Sequence, residues 1–305
     1  MKFAKPALRL EEQLEQLSKR GLRIDDAHAA IHALKHHNYY RLRGYWIVLE
    51  QPTSDGLHKF RPGADLQTAL NLYRFDEQLR SLLMEAVASI EVSVRTQFAY
   101  QIAVSHGPHA YLDQNLFDDP VKHADCLAKL HEEVGRSHEV FIRHYLEKYS
   151  TPDLPPLWAV CEVMSLGALS KWFSNLANRS DRKRIADEYD VDETTLVSFL
   201  RHLTVLRNHC AHHGRVWNRR FTVTMRVPRN RPVRAARAFE HGQDESRRIY
   251  NTLTMIGHFM NVIEPSNDWL SRVRSTIERT SMLEPAAMGF PLDWKGRQLW
   301  REAAS

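Results

Sequence analysis

Residues 65–102 read DLQTALNLYRFDEQLRSLLMEAVASIEVSVRTQFAYQI and decide the fold class. Apolar residues recur every three or four positions along this stretch, which is the spacing of one face of an α-helix. No glycine or proline interrupts the pattern until Gly107-Pro108. The stretch therefore predicts one very long helix or two nearly collinear helices, as in a helical bundle.

The segments before residue 65 predict shorter elements. Leu8 to Leu17 has helical spacing, and Gly21 follows it as a C-terminal stop signal. Asp25 is suited to cap a second helix. The aromatic and β-branched stretch from Asn38 to Leu49, with Ser54-Asp55-Gly56 as a turn, predicts a small β-hairpin.

The pattern after residue 107 is again helical. Val121 to Tyr149 predicts helix with a break at Gly135, and the proline-rich residues 151–156 mark the clearest break in the chain. Leu157 to Leu176 predicts a single buried helix. Asp192 is placed to start the next helix.

The last part of the sequence is less regular. Phe221 to Val227 alternates with period two and predicts a strand, whereas Asp244 to Ile263 predicts a helix, and another helix begins near Ser266. The last twenty or so residues look loosely attached. The predicted fold class is all-α with minor β content.

These patterns predict three parts of the chain. Residues 1–64 form an N-terminal helical and aromatic segment packed on the core, and residues 65–265 form the helical core. An arginine-rich insertion interrupts that core at about 215–248. Residues 266–305 form a C-terminal helix and tail.

Composition and charge restrict the class of protein. The net charge of +5 is compatible with a nucleic-acid partner without establishing one. The three cysteines, Cys126, Cys161 and Cys210, form no CxxC pair, which favours neither a disulfide framework nor a cysteine zinc site. The N-terminus lacks a secretory signal and no apolar run is long enough to span a bilayer, so we expect a cytoplasmic protein with no membrane partner.

Residues 203–215 read LTVLRNHCAHHGR and hold the strongest chemical signal in the chain. An apolar helical pattern leads into an arginine, an amide and three histidines and then stops at Gly214. On a straight helix, the five steps from Arg207 to His212 turn about 140°. The two side chains therefore do not share a face, which favours a composite cleft over a self-contained dyad.

The residue types suit RNA cleavage by the RNA's own 2′-hydroxyl. Histidine titrates near neutrality and serves as acid or base, and arginine binds phosphate oxygens while keeping its charge. A single His212 cannot readily be base and acid at once, so two copies across a dimer axis would divide the roles. We expect no metal and no cofactor. A zinc site from His209, His212 and His213 is disfavoured because no distant carboxylate accompanies them.

The same residues carry a resemblance to a known family. Arg207 to His212 matches the R-(polar)-xxx-H signature of HEPN ribonucleases, and Leu206 to Arg219 resembles the Abi (abortive-infection) family. The resemblance extends over roughly residues 20–220 through further blocks at Arg20–Leu22, Asn38–Tyr45, Tyr73–Arg80, Ile90–Arg95 and Pro156–Ser170.

The resemblance implies an all-α HEPN-like bundle with an N-terminal helical extension. It also implies a dimeric, metal-independent endoribonuclease in phage defence or a toxin–antitoxin-like system. The sequence leaves open whether an antitoxin protein, a small RNA or a modification keeps such a nuclease inactive. By position, it carries Arg207 and His212 over as catalytic residues and Asn208 as the polar residue beside the arginine.

Other residues are candidates for supporting roles. Glu91 and Arg95 are spaced as an intrahelical ion pair, and they would orient Arg207 or His212 if their face points at the motif helix. His213 is predicted as a helix-end or groove-lining residue.

Residues 215–248 contain ten arginines against three acidic residues. Such a run is often only a solvated surface. Here it starts beside the candidate site, and arginine favours phosphate contact. We therefore predict that RNA binding begins at Arg215, Asn218, Arg219 and Arg220.

Two other functions remain open from the sequence. The first is a catalytically silent RNA-binding protein that uses Arg207 as a phosphate clamp. The second is a helical interaction module whose basic face binds an acidic protein or DNA. Arg207 and His212 can also serve simply to satisfy the last carbonyls of a helix.

Overall fold

The computed structural model describes residue 2 and residues 6–51, 58–280 and 283–303. The chain divides into two compact units, one of residues 1–79 and 276–284 and one of residues 80–275 and 285–305. The described residues are 67% helical, which confirms the predicted all-α fold class. No helix in the described ranges is long and apolar enough to cross a membrane.

In the part of the first unit that the structure describes, three helices are complete, namely α1 (Leu10–Lys19), α2 (Ala27–His37) and α3 (Tyr39–Trp46). Two helices contribute residues to both units, namely α4 (Leu66–His106) and α12 (Trp269–Arg279). The remaining helices belong to the second unit: α5 (Pro120–Arg136), α6 (Val140–Lys148), α7 (Leu157–Val163), α8 (Leu166–Asn175), α9 (Arg179–Asp187), α10 (Glu193–Ala211), α11 (Ile249–Ile263) and α13 (Gln298–Glu302). Short 3₁₀ turns occur at Ile47–Leu49, Ala110–Leu112, Gln114–Leu116, Ala236–Ala238, Glu245–Arg247, Pro285–Met288 and Trp294–Gly296.

The long apolar pattern forms one continuous helix, as predicted. α4 runs for 41 residues, and its buried positions include Leu83, Ile90, Val94 and Phe98. The short helix α1 is followed by Gly21 with φ of 94°, so the predicted stop signal is confirmed. The second helix is capped by Asp26, one residue later than predicted.

The predicted hairpin is mostly wrong. Tyr39–Trp46 is helical because Asn38 caps it, accepting a hydrogen bond from the Tyr40 N–H at 2.8 Å, and because Leu42, Tyr45 and Trp46 bury one helical face. Among the described residues, two on each side pair as antiparallel strands, β1 (Glu50–Gln51) with β2 (Lys59–Phe60). The predicted turn at residues 54–56 lies outside the described residues.

One helix break lies slightly later than predicted, and a second break was not predicted. α5 continues through Gly135 and ends at Arg136. Leu157 to Leu176 is two helices, not one, because Ser165 leaves the helical conformation and its hydroxyl accepts a hydrogen bond from the Ala168 N–H at 3.2 Å. No glycine or proline marks that break in the sequence.

α10 occupies the centre of the second unit and carries the candidate motif at its end. Asp192 caps it as predicted, accepting from the Thr195 N–H at 2.8 Å. One face packs on α8 and α9, and Phe199 lies against Phe259 of α11 with ring centroids 4.8 Å apart. The apolar face of α10 is fully buried, which fixes the position of its C-terminal turn.

Residues 221–227 do not form the predicted strand and lie along α10 as an irregular segment. Buried His202 of α10 donates from Nδ1 to the Val223 carbonyl at 2.7 Å, and its Nε2 accepts from the Thr252 hydroxyl at 2.8 Å. This tertiary pairing replaces the backbone ladder that a strand would need. Sequence reasoning did not single out His202.

We expect His202 to make the stability of the protein depend on pH. Burial lowers the pKa of His202, outweighing the opposing effect of its hydrogen bond to the Val223 carbonyl. The unfolded chain therefore binds a proton near pH 6.5 that the folded chain does not bind. The free energy of unfolding, measured by urea titration, should be highest above this pH and should fall as the pH is lowered below it.

A His202→Gln variant should be less stable at pH 8 but should lose less stability on acidification. Burial lowers the pKa of His258 as well, so part of the pH dependence should remain. His131→Gln, which changes an exposed histidine, is the matched control. An unchanged pH dependence in His202→Gln would contradict the assignment.

The C-terminal residues are packed, contrary to the prediction that they are loosely attached. Trp300 is fully buried, its ring stacks on Tyr250, and its Nε1 donates to the Thr254 hydroxyl at 3.1 Å. Trp294 and Leu299 are also buried. These apolar contacts hold residues 285–303 against α11.

Candidate active site

The C-terminal end of α10 is closed by two backbone hydrogen bonds. The Gly214 N–H donates to the His209 carbonyl at 2.7 Å and the His213 N–H donates to the Cys210 carbonyl at 3.0 Å. This is the Schellman arrangement, and its left-handed residue is His213 with φ of 55°. The sequence had suggested Gly214 as the residue that releases the backbone.

Gly214 is needed for space. A Cβ atom at this position would lie 3.2 Å from the His209 carbonyl oxygen and 3.4 Å from Nδ1 of its ring. The glycine thus lets the chain pass close over His209, while His213 supplies the left-handed turn.

We expect the conformation at residue 213 to be measurable by substitution. Glycine adopts a left-handed conformation without the steric cost of a Cβ atom, which is about 1 kcal/mol for most residues. His213→Gly should therefore be about 1 kcal/mol more stable than His213→Ala in urea denaturation. Both variants lose the imidazole, so the comparison isolates the backbone. Equal stability of the two would show that His213 does not need this conformation.

Arg207 and His212 lie at this helix end and are both joined to Asn208. Arg207 is half-buried, and its Nη1 donates to the Asn208 side-chain oxygen at 3.3 Å. His212 is the C-cap, and its backbone N–H donates to the Asn208 carbonyl at 3.0 Å. The His212 ring is exposed and makes no hydrogen bond to any described residue. One side chain is thus partly fixed and the other is open to solvent.

His209 is chemically different from His212. Its ring is half-buried beside Phe221, with centroids 6.2 Å apart. Burial lowers the pKa of His209, and the positive charges of Arg219 and His212 lower it further. His209 is therefore a neutral imidazole near pH 7 and a poor source of protons. Among the described residues, no group of three or more His, Cys, Asp or Glu side chains is arranged to hold a metal ion.

Glu91 and Arg95 form the predicted ion pair on α4. Arg95 Nη2 donates to Glu91 Oε1 at 2.8 Å and to the Met164 carbonyl at 3.0 Å. Arg95 Nη1 lies 3.5 Å from Glu162 Oε2. The pair thus links α4 to the junction of α7 and α8.

No hydrogen bond or ion pair among the described residues joins Glu91 or Arg95 to Arg207 or His212. The connection between the two groups runs through packing. A Cβ atom at Gly167 would lie 3.2 Å from Thr204 of α10, so α8 approaches α10 one turn before Arg207. The ion pair between Glu91 and Arg95 thus stabilises the junction of α7 and α8, and α8 makes the contact with Thr204.

Comparison with known proteins shows the family to which the chain belongs. A family model described as Abi-like protein matches residues 32–218, which is more than half of the 305 residues. The chain belongs to the Abi-like protein family. Neither curated proteins nor solved structures gave a match. The Abi-like region includes α4, α7, α8 and the whole of α10 and ends at Asn218.

The residues predicted to begin RNA binding lie where the Abi-like region ends. Arg215 and Arg219 are half-buried, and Arg219 Nη1 lies 3.5 Å from the Arg215 carbonyl. The side-chain oxygen of Asn218 is buried without a hydrogen-bond partner in the described part of the chain. Arg220 is exposed but binds Asp244 through both Nε and Nη2. Of these four residues, Arg220 is held by an acidic partner and Arg219 contacts the Arg215 carbonyl within the loop beside the helix end.

Proposed function

We propose that this Abi-like protein is a metal-independent endoribonuclease that acts in abortive infection or in a toxin–antitoxin-like system, with RNA as substrate. The observation that carries the proposal is the pairing of an exposed imidazole, His212, with a half-buried guanidinium, Arg207, at one helix end. Asn208 contacts both. Burial and nearby positive charge lower the pKa of His209, which disfavours it as the acid of such a reaction.

These groups suit intramolecular transesterification of RNA. A base removes the proton of the 2′-hydroxyl, and the 2′-oxygen attacks the neighbouring phosphorus. The bond from phosphorus to the 5′-oxygen then breaks as an acid protonates the leaving oxygen. The products carry a 2′,3′-cyclic phosphate and a 5′-hydroxyl. Arg207 would stabilise the charge on the pentacoordinate phosphorus.

The proposed site is composite. One histidine cannot both accept and donate a proton in the same step, so His212 of a second copy would supply the other role. A two-fold axis beside the C-terminal end of α10 would bring two His212 and two Arg207 side chains to one phosphate. An antitoxin, either protein or RNA, would act by covering this end of α10.

The reaction can be tested through the chemistry of its products. Purified protein is incubated with RNA in excess EDTA, and the fragment ends are analysed with a phosphatase and a kinase. We expect 2′,3′-cyclic phosphate or 3′-phosphate ends together with 5′-hydroxyl ends. Fragments with 5′-phosphate ends, or no cleavage by wild-type protein under any activating condition, would refute the mechanism.

The composite site can be tested by mixing. Wild-type and His212→Ala chains are exchanged in equal amounts at constant total concentration. If each site needs both histidines, activity should fall to about one quarter of that of pure wild type, whereas independent subunits would retain about one half. Dimerisation is measured in parallel by sedimentation. A strictly monomeric protein that cleaves RNA would refute the shared site.

The main alternative is an RNA-binding protein of the same fold that does not cleave. It would predict salt-sensitive RNA binding that depends on Arg207, with no fragments in any condition. A preference for a protein partner over RNA would instead favour an interaction module.

A further inference from the structure

The segment after the family region runs back along α10, from its C-terminal to its N-terminal end. We call residues 221–231 the return segment. Its contacts with α10 in chain order are Phe221 with His209, Val223 with His202, and Arg226 with Ser198 and Thr194. The return segment therefore leads away from Arg207 and His212 toward the start of α10.

At that far end the chain forms a loop, residues 229–237, which we call the distal arginine loop and which hydrogen bonds attach to Asp187 and Asp190. Arg231 points inward, donating from Nε to Asp190 at 2.8 Å and from Nη1 to Asp187 at 2.9 Å. The Val233 N–H also donates to Asp190, at 2.8 Å. Ala235 is fully buried. These anchors fix the backbone, so that the arginines on either side of them are presented at the surface.

Three arginines of this loop differ from the others in residues 215–248. Arg229, Arg234 and Arg237 are exposed, and their side chains make no hydrogen bond or ion pair with any described residue. In contrast, Arg220 binds Asp244 and Arg231 binds two aspartates. The arginines held by acidic partners maintain the fold, and the three exposed ones remain available to an anion.

We propose that Arg229, Arg234 and Arg237 form a distal binding site for the phosphate backbone of RNA. Three guanidinium groups on one fixed loop suit a repeated phosphate ligand because each offers paired N–H donors and keeps its charge. The inference deepens the proposed function and rests on it for the identity of the polyanion. The loop lies beyond residue 218, so the Abi-like match does not cover it.

The distance between the two sites sets the length of a stacked RNA strand that reaches both. α10 advances about 1.5 Å per residue, so the eighteen steps from Thr194 to His212 correspond to roughly 27 Å. Stacked nucleotides are spaced at about 3.4 Å along one strand, and an RNA that reaches both sites therefore needs about eight or more of them. Shorter RNA would reach the cleavage site without the distal arginine loop.

Binding is tested in a background that does not cleave. His212→Ala protein and the same protein with Arg229→Gln, Arg234→Gln and Arg237→Gln are titrated with a fluorescent 20-nucleotide single-stranded RNA at several salt concentrations. Each phosphate contact to a single strand contributes about 0.7 to the slope of log K against log salt. We expect the triple substitution to reduce the slope by about 2 and to weaken binding roughly 30-fold at physiological salt.

The matched control removes the same number of positive charges from other exposed positions, with Arg9→Gln, Arg74→Gln and Arg301→Gln. It should keep the wild-type slope. Equal slopes for the two triple variants, or no binding of RNA by the parent protein, would overturn the inference. The binding assay does not require cleavage, so it tests the distal site whether or not the proposed cleavage reaction occurs.

Cleavage provides the second readout. With intact His212, the distal triple variant should lower kcat/KM at least tenfold for the 20-nucleotide RNA and leave a 3-nucleotide RNA unaffected. The same loss for both lengths would place the arginines at the cleavage site instead, and would also overturn the inference.

Discussion

Replacing His212 by alanine should lower the rate of RNA cleavage by about 10²- to 10⁴-fold, which is the usual contribution of a positioned acid or base. The substitution removes an exposed ring that makes no hydrogen bond to the described residues, so the fold should be unaffected. The measurement is single-turnover cleavage of a labelled RNA in EDTA, with circular dichroism to confirm that the helix content is retained.

The controls for this prediction lie on the same fold. His131→Ala changes an exposed histidine of α5 and should cleave as wild type does. Arg207→Ala should lose activity by a similar factor, whereas Arg201→Ala, an exposed arginine of α10, should keep it. Comparable activity in His212→Ala and His131→Ala would remove His212 from the reaction.

Replacing Trp300 by alanine should lower the free energy of unfolding by about 3–5 kcal/mol, the usual cost of truncating a buried tryptophan. Its ring is fully buried against Tyr250 and bonds to Thr254, and its carbonyl accepts from Arg274 Nη1 at 2.7 Å. Only the backbone contact survives the substitution. Urea denaturation followed by circular dichroism measures the change.

The same substitution at an exposed tryptophan is the control. Trp158 keeps 55% of its surface accessible, so Trp158→Ala should change the stability by less than about 0.5 kcal/mol. If Trp300→Ala were no more destabilising than Trp158→Ala, residues 285–303 would be a dispensable appendage, as the sequence had suggested.

The helices that the sequence predicted well are those whose signals are local. The uninterrupted apolar spacing of residues 66–106 and the cap at Asp192 need no knowledge of the rest of the chain. The helix at Tyr39–Trp46 was missed because aromatic residues are frequent in strands, and its outcome depended on burial of one face. The break at Ser165 was missed because it depends on a serine cap without glycine or proline.

The sequence shows which types of residue lie at the candidate site, but it does not show which side chains pair with each other. The order of Arg207, Asn208 and His212 placed them at a helix end, and the helix does end there. Whether a given arginine faces an acid depends on contacts between residues far apart in the chain. Arg220 with Asp244 and Arg231 with Asp187 are separated by 24 and 44 positions. Such pairs have no local signature.

Asn208 contacts its two neighbours in different ways, and this has a consequence for variation within the family. The contact to Arg207 uses the amide side chain, whereas the contact to His212 uses the main-chain carbonyl. Substitution of residue 208 can therefore change the direction of the Arg207 side chain without moving the backbone of His212. A proline at position 212 would remove the N–H that holds it. The residue beside the arginine is thus a point at which the position of the guanidinium can be adjusted while His212 stays in place.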